Sequence, residues 1–454
     1  MPSSSSYLPV CVNQEQLLLS RDLRGRRGLL PTVIPVYLRM AGTLNVEALR
    51  GALQAFTERH EALRTSFHHN PALSPDEIGQ SLREYARTGI VKPGLYLQRV
   101  AGEVQIELPM HTVTESALRD LVNDELTRSF DPEVPPRFRA CLFQLAKDEH
   151  RLLIVLDHLV SDGWSVRLLE RELHSLYVSF ARSTPSALKP PGMSLPDFAE
   201  WQSRNSFDRA IHYWRGQWEQ FRDTRIHVQD FPFAIASTEK PGPDFATWQA
   251  TFDPAVAGDA RRVAVEQRVS LFMLFLAVWA VVLRHYTGKE RFPVWTHFNN
   301  RVRPETHGTF GYLINTHIIG LDLGEEPSGR QVLDRVRRAV LEATAHQELP
   351  LPQLWRAIGS APRFDDAFVM LDIRNGNVAV NPEPDDELRI TRTVLPDIVL
   401  PRLSQLGVYV TDYQSSIDVA VAYRKDAFHS DSIRLLGEHF ARALSELVSA
   451  CRTS

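Results

Sequence analysis

Asp157-His158-Leu159-Val160-Ser161-Asp162-Gly163 carries the groups in this chain best spaced for chemistry. An imidazole follows the apolar run Leu152-Leu153-Ile154-Val155-Leu156, and a carboxylate returns four residues later beside a glycine. The run reads as a buried strand, and Trp164-Ser165-Val166-Arg167-Leu168-Leu169 opens a helical pattern. Such a strand–turn–helix presents His158 into a cleft, where a neutral imidazole is a suitable proton acceptor near pH 7. Asp162 is expected to hold the turn by pairing with a cation elsewhere. Gly163 lets the backbone pass close to a substrate, and its N–H is placed to stabilise an oxyanion. With sixteen histidines in the chain, His-x-x-x-Asp-Gly taken alone fits a satisfied structural histidine better than a catalytic one. No Gly-x-Ser-x-Gly elbow is present, which argues against a covalent serine mechanism.

The elements that must position this turn follow from periodicity. Strands are expected over 33–40, 64–67, 102–108, 138–145 and 151–156, the last two joined as a hairpin by Ala-Lys-Asp-Glu-His. Helices are expected over 14–20, from Asn45 to about 59, over 117–128, and after the motif through Phe180. Residues 70–96 are polar and poorly periodic and read as a variable excursion. The Ser- and Pro-rich stretch 183–196 is the best linker. It divides the chain into residues 1–183, carrying the motif, and 184–454. Beyond it come one aromatic helix bearing Trp201, Tyr213, Trp214 and Trp218, and strands at 247–252, 293–298, 314–323, 366–373, 405–411 and 416–423. Helices at 256–267, 270–287, 328–347 and 432–449 complete the pattern. This mixed order is that of an α+β architecture of two lobes.

Composition narrows the function classes. The chain is 43% hydrophobic and 23% charged, with 51 basic and 55 acidic residues and a net charge of −4. A general nucleic-acid binder would be strongly basic. Cys11, Cys141 and Cys451 are far apart and odd in number, so neither a disulfide framework nor a zinc site is expected, and a reducing cytoplasm fits best. His60-Glu61 lacks the second histidine of a metalloprotease helix, and no metal site is expected. The first residues do not form a secretory signal. The longest apolar run, Leu271 to Leu283, has 13 residues. A membrane span needs about 20, so a buried core helix is expected.

Six stretches in order resemble the condensation domains of nonribosomal peptide synthetases. They are Gln16-Leu17-Leu18; Arg59-His60-Glu61-Ala62-Leu63-Arg64-Thr65-Ser66-Phe67; the His158 heptad with Trp164-Ser165; Asp197-Phe198-Ala199-Glu200-Trp201-Gln202; Phe310-Gly311-Tyr312-Leu313-Ile314-Asn315-Thr316, preceded by Asn300-Arg301; and His346-Gln347-Glu348-Leu349-Pro350. Phe130-Asp131-Pro132 and Pro135-Pro136-Arg137 share the likeness.

The resemblance implies a chloramphenicol-acetyltransferase-like fold, two lobes in a V with a tunnel between them. It implies a donor acyl group on the phosphopantetheine arm of a peptidyl or acyl carrier protein, a small-molecule amine or alcohol acceptor, and no cofactor bound by the chain itself. His158 keeps the position credited with chemistry, and Arg301 is expected to pair with Asp162. Trp164, Ser165, Trp295, His297, Asn315 and Thr316 are expected along the tunnel, although Asn315 and Thr316 fit equally as partners of backbone groups at a strand crossing. Arg59, His60 and Arg64 are expected to be architectural.

Three departures bear on substrate rather than fold. Asp157 stands where the family usually has a first histidine, and once buried it needs a cation or hydrogen-bond donors. Trp295 and His297 replace small residues. Arg363-Phe364-Asp365-Asp366-Ala367-Phe368 stands in place of a late arginine motif. With no carrier attachment site in the sequence, the expectation is a free-standing enzyme meeting its carrier in trans. Arg21, Arg24, Arg26 and Arg27 are candidates for the docking face, or simply a solvated charge run. A coenzyme A-dependent acyltransferase and a non-catalytic carrier-docking module remain as alternatives.

Overall fold

The computed structural model describes residues 7–25, 33–235, 244–361, 369–375, 388–393, 405–413 and 416–452. Two compact units form. One comprises Met1–Ser206, Asn299–Ile314 and Val378–Ile398; the other comprises Phe207–Phe298, Asn315–Asn377 and Val399–Ser454. This differs from a single cut at residues 183/184, because the largely exposed Ser/Pro-rich stretch is tied by hydrogen bonds near its end to the first unit. Arg59 donates to the Lys189 carbonyl, Met193 N–H donates to Glu305 O at 2.9 Å, and Thr309 Oγ1 donates to Met193 O at 2.7 Å. The chain leaves the unit where the expected aromatic helix breaks into Leu195–Arg204 and Asp208–Phe221, with Phe207 in the left-handed region at φ 55°.

The first unit is built on a five-stranded sheet in the order Leu388–Arg392, Val33–Gly42, Glu149–Asp157, Phe138–Ala146, Met110–Thr112. The motif strand Glu149–Asp157 is central and antiparallel to both neighbours, with Leu156 opposite Ile34 on one side and Phe138 on the other. Its alternate residues serve opposite faces. Leu152, Ile154 and Leu156 pack with Leu49, Leu53 and Phe56 of helix Val46–Arg59 and with Leu169 and Leu173 of helix Gly163–Ala181. Leu153 and Val155 pack with Leu118, Val122 and Leu126 of helix Glu115–Thr127. A strand covered on both faces has no polar alternation, hence the unbroken apolar run before His158.

Two expectations for this half fail. Residues 75–88 form the helix Pro75–Thr88, started by a Ser74/Glu77 capping box with Pro75 in its first turn and stopped at Gly89, φ 68°. No strand forms over 102–108; strands occur instead at Tyr96–Val100 and Met110–Thr112. The Gln54 side chain takes the backbone of that segment, donating to Val104 O at 3.0 Å and accepting from Ile106 N at 3.1 Å, in place of a ladder.

The second unit has a six-stranded sheet in the order Asn315–Asp322, Arg291–Phe298, Val369–Asn375, Leu406–Asp412, Ile417–Arg424, Phe245–Phe252. Helix Leu271–Thr287, containing the longest apolar run, is buried over most of its length, and its Phe275 stacks on Phe440 of helix Ser430–Arg452 at 6.2 Å. Among the described residues no single helix is long and apolar enough to cross a membrane. Leu351–Ile358 is an additional helix, started after Pro350 and ended at Gly359, φ 83°.

Candidate functional site

The motif strand ends at Asp157, and helix Gly163–Ala181 begins with Asp162 as its N-cap. His158 sits in the turn between them, partly buried. Its Nδ1 lies 2.9 Å from Ser161 O, and a carbonyl only accepts, so Nδ1 carries the proton. Nε2 then holds the lone pair, and it makes no hydrogen bond among the described residues. Burial pushes the imidazole below its ordinary pKa, against the raising effects of the Ser161 carbonyl, Asp162 and Asp157, which keeps the ring neutral near pH 7. Tyr312 packs against it with ring centroids 5.1 Å apart and planes at 88°.

Asp162 is fully buried and meets Arg301 in two parallel hydrogen bonds, Nη1–Oδ2 at 2.8 Å and Nη2–Oδ1 at 3.1 Å. Its oxygens also accept from Ser165 N at 2.9 Å, capping the helix, and from Leu313 N at 3.1 Å. Arg301 reaches this position after Asn300 turns through φ 52°, a conformation asparagine tolerates. The same two Nη groups also meet Asn299 O, Thr309 O and Gly311 O. Ser165, expected along a tunnel, instead belongs to this buried network: its hydroxyl lies 2.9 Å from Asp162 Oδ1 and 3.0 Å from Gly311 O, and accepts Gly311 N–H at 3.0 Å. Trp164 donates its indole N–H to His307 O at 2.9 Å, with Arg167 over its ring at 4.3 Å. Gly163 is exposed, and a Cβ there would meet nothing within 4 Å.

Asp157 is buried and has partners of its own, separate from this network. It pairs with the fully buried Arg137 and, at 3.4 Å, with Arg21, while Oδ1 accepts Leu159 N–H at 3.0 Å. These supply the cation and donors that a buried carboxylate requires. Arg21, a candidate for a docking face, is thus occupied with Asp157 and with Phe130 O at 2.6 Å. Arg26, Arg27 and the side chain of Arg24 lie outside the described residues, as does the 363–368 stretch.

The other four residues expected along a tunnel lie in the second unit. Trp295 is 5% exposed and packs on Trp355 at 6.4 Å, so its ring belongs to that unit's core. His297 and Thr316 are directly opposed on neighbouring strands, with Nδ1 and Oγ1 2.9 Å apart. Asn315 is buried and donates to Gln347 O at 2.6 Å. Two neighbours act on the same loop: His317 Nε2 donates to Leu349 O at 2.7 Å and Trp214 donates to His346 O at 2.7 Å. The His346–Pro350 stretch is therefore held by its carbonyls.

His317 is buried and stacks on Trp214 at 4.1 Å; burial pushes its pKa down to about 4, against the hydrogen bond to Leu349. The unfolded chain takes up this proton near 6.5, so the stability contributed by neutral His317 is complete above that pH and is lost as pH falls toward 4. About 3 kcal/mol is at stake over that window. Urea titrations from pH 7 to 4 should show a shallower pH slope for His317→Phe than for wild type; equal slopes would remove this assignment.

The model of the condensation domain family matches residues 32–454. The chain belongs to that family. Among curated relatives, malpinin synthetase of Mortierella alpina is 31% identical over 80% of this chain and 4% of its own length. Phosphinothricin tripeptide synthetase PhsC of Streptomyces viridochromogenes is 30% identical over 97% of this chain and 39% of its own. The chain thus spans a minor part of these relatives. Among solved structures, the X-domain from teicoplanin biosynthesis superposes with a TM-score of 0.77 at 20% identity, covering 100% of this chain and 96% of that one. The first condensation domain of the calcium-dependent antibiotic synthetase, in complex with a substrate analogue, gives 0.76 at 17% identity over 98% and 97%. At these identities the structures establish the fold, that of the chloramphenicol-acetyltransferase-like condensation domains.

The motifs around His158 brace its turn and the helix that follows. Arg59 Nε and His60 Nε2 reach Glu172 of the motif helix at 2.8 and 2.9 Å. Burial alone would lift the Glu172 carboxyl, but hydrogen bonds from His60 and Arg59 outweigh it and hold it below its ordinary range. The first motif, expected at residues 16–18, contacts the site through Gln14 and Asn13 just before it. Gln14 Nε2 donates to Leu159 O at 2.7 Å, inside the heptad, and Asn13 Nδ2 donates to Ile314 O at 2.9 Å. Tyr312 and Arg137 were visible only as parts of motifs. A buried glutamine and asparagine at a helix start give no periodic signal, so only their partners reveal them.

Proposed function

We propose that this condensation domain transfers an acyl group from a phosphopantetheine thioester, presented by a peptidyl or acyl carrier protein in trans, to a small-molecule amine or alcohol. The observation that carries this is His158, whose Nδ1 proton is committed to Ser161 O while Nε2 keeps its lone pair. Nε2 takes the proton from the acceptor as its nitrogen or oxygen attacks the thioester carbonyl. The C–N or C–O bond forms, the C–S bond breaks, and the proton passes to the departing thiolate. The N–H of Gly163, first residue of the motif helix, stabilises the developing oxyanion, a reading supported by the open space beside its Cα. Asp162 and Arg301 hold the turn and do not exchange the proton.

The family match takes in residues 32–454, so the carrier lies outside those residues. The deciding experiment offers one acyl group in two forms, on a separately expressed carrier and on coenzyme A, with a panel of amine and alcohol acceptors. Preference for the carrier form by 10-fold or more in kcat/KM is expected. Equal or better use of the coenzyme A ester would replace this reading with a small-molecule acyltransferase. Carrier binding without turnover of any acceptor would make the chain a docking module.

A further inference from the structure

The segment 299–314 does more than supply Arg301. Gly311 is tied through both its N–H and its carbonyl to the Ser165 hydroxyl, and Leu313 N–H is tied to Asp162. The backbone on either side of Tyr312 is therefore pinned to the start of the motif helix. Gly311 and Leu313 are buried, whereas Tyr312 is only partly so. Its ring meets the His158 imidazole with perpendicular planes, 5.1 Å between centroids.

We propose that Tyr312 is a positioning residue for His158. Its ring restrains rotation of the imidazole, keeping Nδ1 on Ser161 O and leaving Nε2 to the substrate. This rests on the proton-acceptor reading of His158 above. The Ser161 hydrogen bond at Nδ1 restrains rotation of the imidazole about its Cβ–Cγ bond but leaves it freedom to rock. A perpendicular aromatic ring removes that freedom at no cost in hydrogen-bond capacity. The phenol itself is held neutral by burial and by the nearby Asp162 charge, so it is no competing base. The charged groups around His158 are Asp157 at the strand end, paired with Arg137 and Arg21, and Asp162 at the helix start, paired with Arg301. Each carboxylate is paired with its own arginine; both still favour the charged imidazole, and burial of the ring outweighs them.

The test uses the full chain as wild type, Tyr312→Phe, Tyr312→Leu and Tyr312→Ala. Diethyl pyrocarbonate, which acylates neutral imidazole, is applied between pH 4 and 8, and modification of the His158 peptide is followed by mass spectrometry. Wild type and Tyr312→Phe should share a midpoint below the ordinary value of about 6.5. In Tyr312→Leu and Tyr312→Ala the midpoint should rise toward that value. With the carrier-bound donor, these two variants should lose on the order of 10-fold in kcat with KM little changed, and Tyr312→Phe should restore it. An unchanged midpoint in both Leu and Ala variants would overturn the proposal. So would a Tyr312→Phe enzyme as impaired as Tyr312→Ala, since the hydroxyl would then be the active part. The modification profile needs no substrate, so it decides the role of Tyr312 even if acyl transfer from a carrier is not observed.

Discussion

His158→Ala is expected to lower turnover of a carrier-bound donor with its acceptor by roughly 10²–10⁴-fold, the range a positioned general base supplies. The fold should survive the change. His158 is partly buried and contributes one hydrogen bond, to Ser161 O, whose net value is about 1 kcal/mol. The loss should fall mainly on kcat, because an imidazole that accepts a proton during attack interacts more strongly in the transition state than with bound substrate. Single-turnover rates for wild type and variant, with melting temperatures measured in parallel, separate chemistry from folding. Turnover unchanged with a verified donor and acceptor would remove His158 as the base and leave alignment of the two substrates as the source of catalysis.

Asp162→Ala should behave as a stability variant. The substitution leaves the Arg301 guanidinium with only carbonyl partners in a site where both side chains are fully buried. Breaking a buried pair from one side costs about 3–5 kcal/mol. For a unit of this size the melting temperature should fall by on the order of 10 °C. The helix also loses its cap, since Ser165 N–H no longer has a carboxylate to meet. Arg301→Leu should be damaging for the converse reason, and the double variant should lose less than the sum of the two, because neither charge is then stranded. Thermal or urea unfolding of the three proteins checks this. A wild-type melting temperature for Asp162→Ala, accompanied by lost turnover, would place Asp162 in the chemistry instead.

Much of the site was legible along the chain because its parts are local. The strand–turn–helix around His158 and the buried apolar run depend on neighbouring residues and on periodicity, which a linear reading captures. Helix Pro75–Thr88 carries its own start and stop signals in Ser74, Pro75, Glu77 and Gly89, but its low apolar content and lack of buried residues let the segment read as an excursion. The Asp162–Arg301 pair came from the family resemblance, since 139 residues separate the partners.

Tertiary structure alone decided which side chains share a space. Ser165 adjoins the motif and reads as a tunnel residue, yet it is a buried junction, because the 299–314 segment returns to the first unit and lays Gly311 against its hydroxyl. Asp157 reads as a departure from the family pattern, and its meaning depends on Arg137 and Arg21, which pair with it from 20 and 136 residues away. The unit boundary moved because Lys189 and Met193 find partners in Arg59, Thr309 and Glu305, and because Leu388–Arg392 adds an edge strand to a sheet begun at Val33. Periodicity reports how a segment faces a core. Which distant donor meets which buried acceptor depends on the path of the chain through space, and that path is set by the summed packing of both units rather than by any one motif.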